Sequence, residues 1–425
     1  MTRIVILGGG FGALATARAL ERTLRPDEAE ITVISSENFS VFTPMLPEVA
    51  CGNLEARHVV TPIRAELRRA RFVLGEVRGV DLAARSVEVE HPLDGTHHAF
   101  EYDHLVFALG ASTSTFGLPG IDEHSLPLKT LEDADRLRNH LLAIFELADV
   151  TADEAARRRL LTFAIVGGGF TGVEAAGEML DLFRSIARFY RSVDPHQIEI
   201  VLIEAGPKLL PELQRGMGEY SAVSLARRGV RVLVNTPVAS ADAGGLNLKD
   251  GSRIATATIV WSAGVQPSRL VAGLAIGSGR GGSIPVAPDM SVPGYPGVWA
   301  LGDCASIPMP DGTRSPPTAQ HAIREGPLLA RNIAATLHGR PTSPFAFTAL
   351  GMMASLGGRR GVAGLYGRYL LTGFAAWFLW RTYYLLRLPG LDRRFRVAVD
   401  WTLGLIFPRD IAELRLSARR NDRPH

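Results

Sequence analysis

An apolar run, three glycines, a short gap and a stretch of small residues with helical character occur twice along the chain. Residues 3–20 read RIVILGGGFGALATARAL and residues 162–180 read TFAIVGGGFTGVEAAGEML. Each β-branched run predicts a buried strand and each small-residue stretch a helix; a second apolar run follows, 30–34 in one case and 197–203 in the other. The pattern therefore predicts two strand–helix–strand units. Two more buried strands end at small-residue–glycine turns, 105–111 (LVFALGA) and 259–265 (IVWSAGV), and a third run, 296–305 (PGVWALGDCA), places Asp303 just beyond its end. Charges and helix formers from 129 to 159 predict a connector with one or two helices, and 149–159 reads as a local insertion on a surface helix. From 369 onward apolar runs alternate with arginines, and Pro389-Gly390 divides them into two helices. These elements imply a first domain split in sequence, 1–118 and 276–345. A helical connector fills 119–160, a second nucleotide domain covers 161–275 between the two parts, and a C-terminal region runs from 346 to 425.

With 425 residues, 46% hydrophobic and 21% charged, the chain has the volume and apolar content for several packed domains, which excludes a disordered scaffold. The formal net charge of +3 hides an asymmetry: from Arg359 to the end, 13 arginines face 5 acidic residues. No nucleic-acid partner is expected. The first residues lack the long apolar stretch of a signal peptide and lead directly into a glycine loop, so the fold is expected to start at residue 1. No run reaches the ~18 apolar residues of a membrane span. Tyr369 to Trp380 gives twelve before Arg381 interrupts, and 397–407 contains Asp400. Two cysteines, Cys51 and Cys304, form neither a disulfide framework nor a metal cluster, and no metal site is expected.

The glycine spacing carries chemistry. The first fingerprint is Gly8-x-Gly10-x-x-Ala13, with Phe11 and Gly12 between, and the second is Gly167-x-Gly169-x-x-Gly172, with Phe170 and Thr171 between. The first glycine permits a tight turn, the second lets backbone approach a pyrophosphate, and the third small residue lets the helix pack on its strand. Two such units suggest two dinucleotides bound by one chain. An acidic residue closing the second strand accepts hydrogen bonds from a ribose and repels a 2′-phosphate. Glu204 occupies that place in the second unit and favours NADH over NADPH. In the first unit the place is held by Ser35, and the nearest carboxylate, Glu37, is the candidate ribose ligand, with a solvated loop charge as the alternative.

These residues resemble the flavoproteins with two dinucleotide-binding domains. Within that superfamily, residues 41–50 (VFTPMLPEVA), 167–178 (GGGFTGVEAAGE), 318–326 (TAQHAIREG) and the aromatic, arginine-rich tail resemble the type II NADH:quinone oxidoreductases. The resemblance implies an α/β fold with two Rossmann-like domains, the FAD domain discontinuous and the NADH domain inserted, followed by C-terminal amphipathic membrane-associating helices. It implies that FAD lies along Gly8, Gly10, Ala108, Gly110, Gly302 and Asp303, with Asp303 toward the ribityl chain; a helix cap is the alternative for Asp303. Ala319 and Gln320 then stand near the isoalloxazine edge where quinone arrives, with an ordinary helix-start amide as the alternative for Gln320. It implies that NADH is held by Gly167, Gly169, Gly172, Glu204 and the Gly264 turn, and that Glu174 lies near the nicotinamide; a first-turn helix charge stabilised by the dipole is the alternative for Glu174. The isolated cysteines disfavour disulfide-reductase and sulfide-oxidising chemistry. A phylloquinone-type reductase, a sulfide:quinone oxidoreductase and an NADH-sensing flavoprotein that does not turn over are the competing readings.

The tail reads as a membrane anchor. Trp and Tyr suit the headgroup boundary, Arg binds anionic lipid, and the apolar lengths are too short to span. Val397, Trp401 and Leu405 fall at i, i+4 and i+8 and give the second helix one apolar face. Burial of both helices at a domain or homodimer interface is the alternative. The expected protein is a peripheral, monotopic flavoenzyme on the cytoplasmic face of the inner membrane, with a membrane quinone and the bilayer surface as partners. Glu204→Arg is predicted to raise the kcat/KM ratio of NADPH to NADH by about tenfold or more; steady-state kinetics with both coenzymes checks this, and an unchanged ratio removes Glu204 from the ribose.

Overall fold

The apolar run that opens the chain is a strand because its β-branched side chains pack on both faces of a sheet. In the computed structural model, which describes residues 1–213, 216–274, 276, 279–349 and 351–414, Thr2–Leu7 is the middle strand of a five-stranded parallel sheet. It pairs with Ala29–Ser35 on one side and His104–Phe107 on the other, and Arg71–Leu74 and Val298–Ala300 form the two edges. The helix Phe11–Thr23 follows the first glycine turn. It packs tightly on the helix Ala319–Leu337, where Gly326 faces Ala15 so closely that a Cβ would come within 2.7 Å of the alanine's own. A three-stranded antiparallel sheet of Glu76–Asp81, Ser86–Glu90 and His97–Glu101 completes this unit, whose core includes Ile4, Ile6, Val33, Val106, Phe107 and Leu301. The unit comprises Met1–Val41, Val60–Ser112 and Val265–Ala349.

The second unit comprises Phe42–Val59, Thr113–Gly264 and the described residues from 351 onward. Its parallel sheet has Thr162–Val166 in the middle, between Thr258–Trp261 and Glu199–Ile203, with Leu126–Pro127 and Val230–Leu233 at the edges. The helix Phe170–Ile186 follows the second glycine turn. The long helix Leu131–Val150 starts at a capping box of Thr130 and Asp133, and Asp153 caps a short helix, Glu154–Leu160. This partition differs from the sequence boundaries at four places: 42–59 and 113–118 group with the second unit, and 265–274 and 346–349 with the first.

The C-terminal region begins with a three-stranded antiparallel sheet, Gly351–Ser355, Gly361–Leu365 and Tyr369–Thr372, which the sequence reading had not separated from the anchor. The helices Gly373–Arg387 and Leu391–Leu403 follow and break at Pro389-Gly390 as expected. Their orientation is not the one the apolar pattern suggests. Val397 and Trp401 point into the unit and are buried, while Leu405 lies past the helix end and is exposed. A second stripe faces outward instead: Leu391, Phe395, Val399 and Leu403, at four-residue steps, are 80%, 71%, 37% and 48% exposed. The inward face wins because Trp401 finds a buried hydrogen-bond acceptor, Glu48, at 3.2 Å. Among the described residues no helix is long and apolar enough to cross a membrane. Residues 415–425, which hold four of the tail's arginines, lie outside the described residues.

Candidate functional site

Both glycine turns are built alike. The Gly8 N–H donates to Ile34 O at 2.7 Å and the Gly167 N–H to Ile203 O at 2.8 Å, so each turn is tied to the neighbouring strand before its helix begins. Gly8 sits at φ +120°, and a Cβ there would lie 2.2 Å from Ala108 O. At the third position of the second fingerprint, Gly172, a Cβ would lie 1.9 Å from Gly167 O, whereas the first unit takes Ala13, fully buried, at the same place. The middle glycines, Gly10 and Gly169, have no atom within 4 Å of where a Cβ would stand. Each is the N-cap of its helix, with no side-chain cap. Open space at an uncapped helix N-terminus is the geometry a pyrophosphate needs.

In the first unit a groove of about 910 Å³ runs along Gly8, Gly10, Ala108 and Gly110, within the range of small-molecule sites. Ser35 and Ser36 line it; Glu37 is exposed and stands outside the lining. Sequence reasoning missed Glu76 and Arg78, which line the groove from the antiparallel sheet and pair with each other at 2.8 Å. Phe11 is half-buried and Gly12 buried at the start of the helix, and a Cβ on Gly12 would press on Leu301 at 3.2 Å. Gly302 and Asp303 form a short helical turn after the strand Val298–Ala300. Glu325, also missed, holds that turn in place: its buried carboxyl accepts from Gly302 N at 2.8 Å and from Ser315 Oγ at 2.6 Å. Ala319 and Gln320 are half-buried at the start of the same helix that carries Glu325.

In the second unit Phe170 and Thr171 are half-buried in the first helical turn. Glu204 closes its strand as expected, and its two carboxylate oxygens accept from Gly168 N and Gly206 N, each at 2.6 Å. This anchors the carboxylate against the glycine turn. Gly264, at φ +75°, lies under the Phe116 ring, where a Cβ would meet the ring at 2.3 Å. Glu174 is buried one turn into the fingerprint helix. Its Oε1 accepts from Ser355 N at 3.0 Å and from Trp380 Nε1 at 2.9 Å, and burial pushes its carboxyl up to about 8.

One turn further, Glu178 is buried and pairs with Arg409 at 2.7 Å, and Arg409 also donates to Cys51 O and Glu178 O. Burial raises the Glu178 carboxyl in spite of that cation. Glu48, on the short helix Leu46–Ala50, accepts from Asn53 Nδ2 at 2.8 Å and Trp401 Nε1, and burial followed by the Glu178 charge pushes it up to about 8. The four-residue spacing of Glu174 and Glu178 is the sequence signal for one buried helix face. The cysteines are free and buried, and burial raises both thiols, Cys304 to about 12, so neither is set up as a thiolate.

A parallel-sheet unit with a glycine turn, present twice, defines a flavoprotein of the two-dinucleotide class. The pyridine nucleotide-disulphide oxidoreductase family model matches residues 2–326, and the NDH2 C-terminal domain model matches 350–410. The type II NADH:quinone oxidoreductase Ndh of Mycobacterium tuberculosis is 35% identical, over 96% of this chain and 89% of its own length. The type II NADH:quinone oxidoreductase of Staphylococcus aureus is 31% identical, over 86% of this chain and 90% of its own. The chain belongs to the type II NADH:quinone oxidoreductases of the pyridine nucleotide-disulphide oxidoreductase family. In fold it is similar to NDH2 of Plasmodium falciparum, solved in complex with NADH, with a TM-score of 0.88 at 21% identity over 97% of this chain and 99% of that one. The sulfide:quinone oxidoreductase of Aquifex aeolicus follows at 0.71 and 20% identity, over 96% and 95%.

Arg409→Met is predicted to lower the unfolding free energy by about 3–5 kcal/mol near pH 9, because Glu178 then loses its only ion-pair partner among the described residues. The Glu178 carboxyl is raised in the folded state, and more so without Arg409. The variant's stability is therefore full below the ordinary value of 4.5 and falls as pH rises through the raised one. Urea unfolding at about pH 6 and pH 9 should show the larger loss at the higher pH.

Proposed function

We propose that this type II NADH:quinone oxidoreductase takes two electrons from NADH and gives them to a membrane quinone without pumping protons, bound to the cytoplasmic face of a membrane. The observation that carries this reading is the pair of glycine turns with open space over Gly10 and Gly169. FAD, when bound, supplies the two-electron carrier between donor and acceptor. The residues of the first unit fit it: the groove along Gly8, Gly10, Ala108 and Gly110 leaves backbone bare for phosphates, and Glu325 sets the Gly302-Asp303 turn that would hold the ribityl chain. Ser35 and Ser36 are the better candidates than Glu37 for the adenosine end.

In the second unit the uncapped helix start at Gly169, Phe170 and Thr171 would hold the NADH pyrophosphate, and Glu204, fixed by two main-chain N–H groups, would meet the ribose. Reducing a quinone to a quinol takes two electrons and two protons, and NADH delivers a hydride, which leaves one proton to be found. Glu174 is assigned that proton: with its carboxyl near 8 it is protonated at neutral pH and can both give and regain it. Gln320 is assigned to orient the quinone.

The outward stripe of Leu391, Phe395, Val399 and Leu403, the exposed Phe374, Phe378, Ile406 and Phe407, and the arginines beside them support a lipid surface as the partner. A pocket of about 430 Å³ among Phe374, Trp377, Phe378, Leu385, Trp401 and Leu405 opens in the same region, where the Arg381 guanidinium lies between the Trp377 and Trp401 rings at 4.7 and 4.1 Å. The buried Trp380, Val397 and Trp401 make deletion of 374–425 a poor test, since it would open the core as well as remove the anchor.

An anaerobic absorbance spectrum tests the reaction: NADH should bleach the flavin band and a soluble quinone should restore it, whereas bleaching without return removes the quinone. For the membrane, Phe395→Asp with Val399→Asp should weaken flotation with phosphatidylglycerol-containing vesicles by at least about tenfold while FAD stays bound. Unchanged flotation would overturn the lipid assignment, and a wild-type elution at twice the monomer mass that the variant loses would give the stripe to a second copy of the chain.

A further inference from the structure

Glu174 has one oxygen tied down and one that is not engaged in the same bonds. The Ser355 main-chain N–H, at the end of the strand Gly351–Ser355, and the Trp380 indole N–H, on the helix Gly373–Arg387, both converge on Oε1. Two donors fill the lone pairs of that oxygen, and neither donor can accept a proton in return. A proton on the carboxyl group must then sit on Oε2.

We propose that Trp380 is a positioning residue for the reaction: with Ser355 it holds Oε1 of Glu174, and so fixes Oε2 as the oxygen that carries the exchangeable proton. This rests on the reading of Glu174 as the proton-holding group. The indole is itself immobile, fully buried and edge-on to Tyr384 with ring centroids 4.9 Å apart at 72°. Glu174 is surrounded by other acids. Glu48 faces it from the helix Leu46–Ala50, Glu178 from its own helix and Tyr384 from the helix that carries Trp380. The cations of the region act on its neighbours: Arg409 on Glu178, and Arg381 on Glu48 and Glu178. The two N–H donors are therefore what favours the ionised form of Glu174, and removing one should make its proton harder to lose. Trp380 also links this carboxyl to the surface, since Phe374 and Phe378 of the same helix face outward.

The test is an infrared pH titration of the FAD-loaded enzyme, following the protonated-carboxyl band that Glu174→Gln removes, with the pH profile of quinone turnover alongside. The wild-type midpoint is expected near 8. Trp380→Phe deletes the donor, and a second variant carrying benzothienylalanine at 380 keeps the ring shape while replacing N–H by sulfur, so packing is preserved. In both, the infrared midpoint and the matching limb of the turnover profile should move up by about one pH unit, the size of one lost charge-assisted hydrogen bond. An unmoved midpoint in the benzothienyl variant overturns the proposal while the assignment of Glu174 stands. A turnover profile that Glu174→Gln leaves unchanged overturns the assignment of Glu174, and with it any part for Trp380 in the reaction.

Discussion

Two carboxyl groups on one face of the second fingerprint helix, Glu174 and Glu178, are taken out of water, and a third, Glu48, is buried with them. Removing a carboxylate from water costs several kcal/mol unless it is protonated, paired or hydrogen-bonded. Each of the three is compensated by the C-terminal region. Ser355 and Trp380 serve Glu174, Arg409 serves Glu178, and Trp401 serves Glu48. The C-terminal region from 351 onward is thus the partner of the second fingerprint helix within one unit, and not an appendage attached to a finished enzyme. His58 and Asp400, 2.6 Å apart, add a further tie between the segment 42–59 and the last helix.

That dependence explains what was legible in the sequence. The glycine turns were readable because their constraints are local: a positive φ at Gly8 and a contact too close for a Cβ at Gly172 act within a few residues and leave a fixed spacing. The strands around them carry β-branched runs buried on both faces, and the Pro-Gly break between the last two helices is equally local. Glu204 could be placed because it ends a strand whose register follows from the turn.

The rest depends on distant partners, which spacing does not encode. Glu178 and Glu48 stood in motifs without a role, because nothing near them in sequence announces Arg409, more than 200 residues away from Glu178. The sheet at 351–372 is short and glycine-broken, with no clean alternation, and it forms because Leu356 and Gly357 pack closely against Gly177 of the fingerprint helix. In the first unit the spacing points to Glu37, the nearest acid to the strand end, whereas the groove is lined there by Ser35 and Ser36 from the strand end itself.

The last helix shows why hydrophobic periodicity alone could not orient the tail. Leu391–Leu403 has two apolar stripes, one containing Val397 and Trp401, the other Leu391, Phe395, Val399 and Leu403. Counting apolar residues ranks them about equally. Polar atoms decide between them: the Trp401 N–H needs a buried acceptor and Asp400 needs a donor or cation, and both are met only on the side of Glu48 and His58. The stripe with no polar atom to satisfy is left outside, where no hydrogen bond is forfeited by its exposure. The same division holds one helix earlier, where Trp380 spends its N–H on Glu174 and Phe374 and Phe378, with no polar atoms, face out. The hydrogen-bonding needs of Trp380 and Trp401 thus set both the face that docks on the carboxyl cluster and the face left exposed.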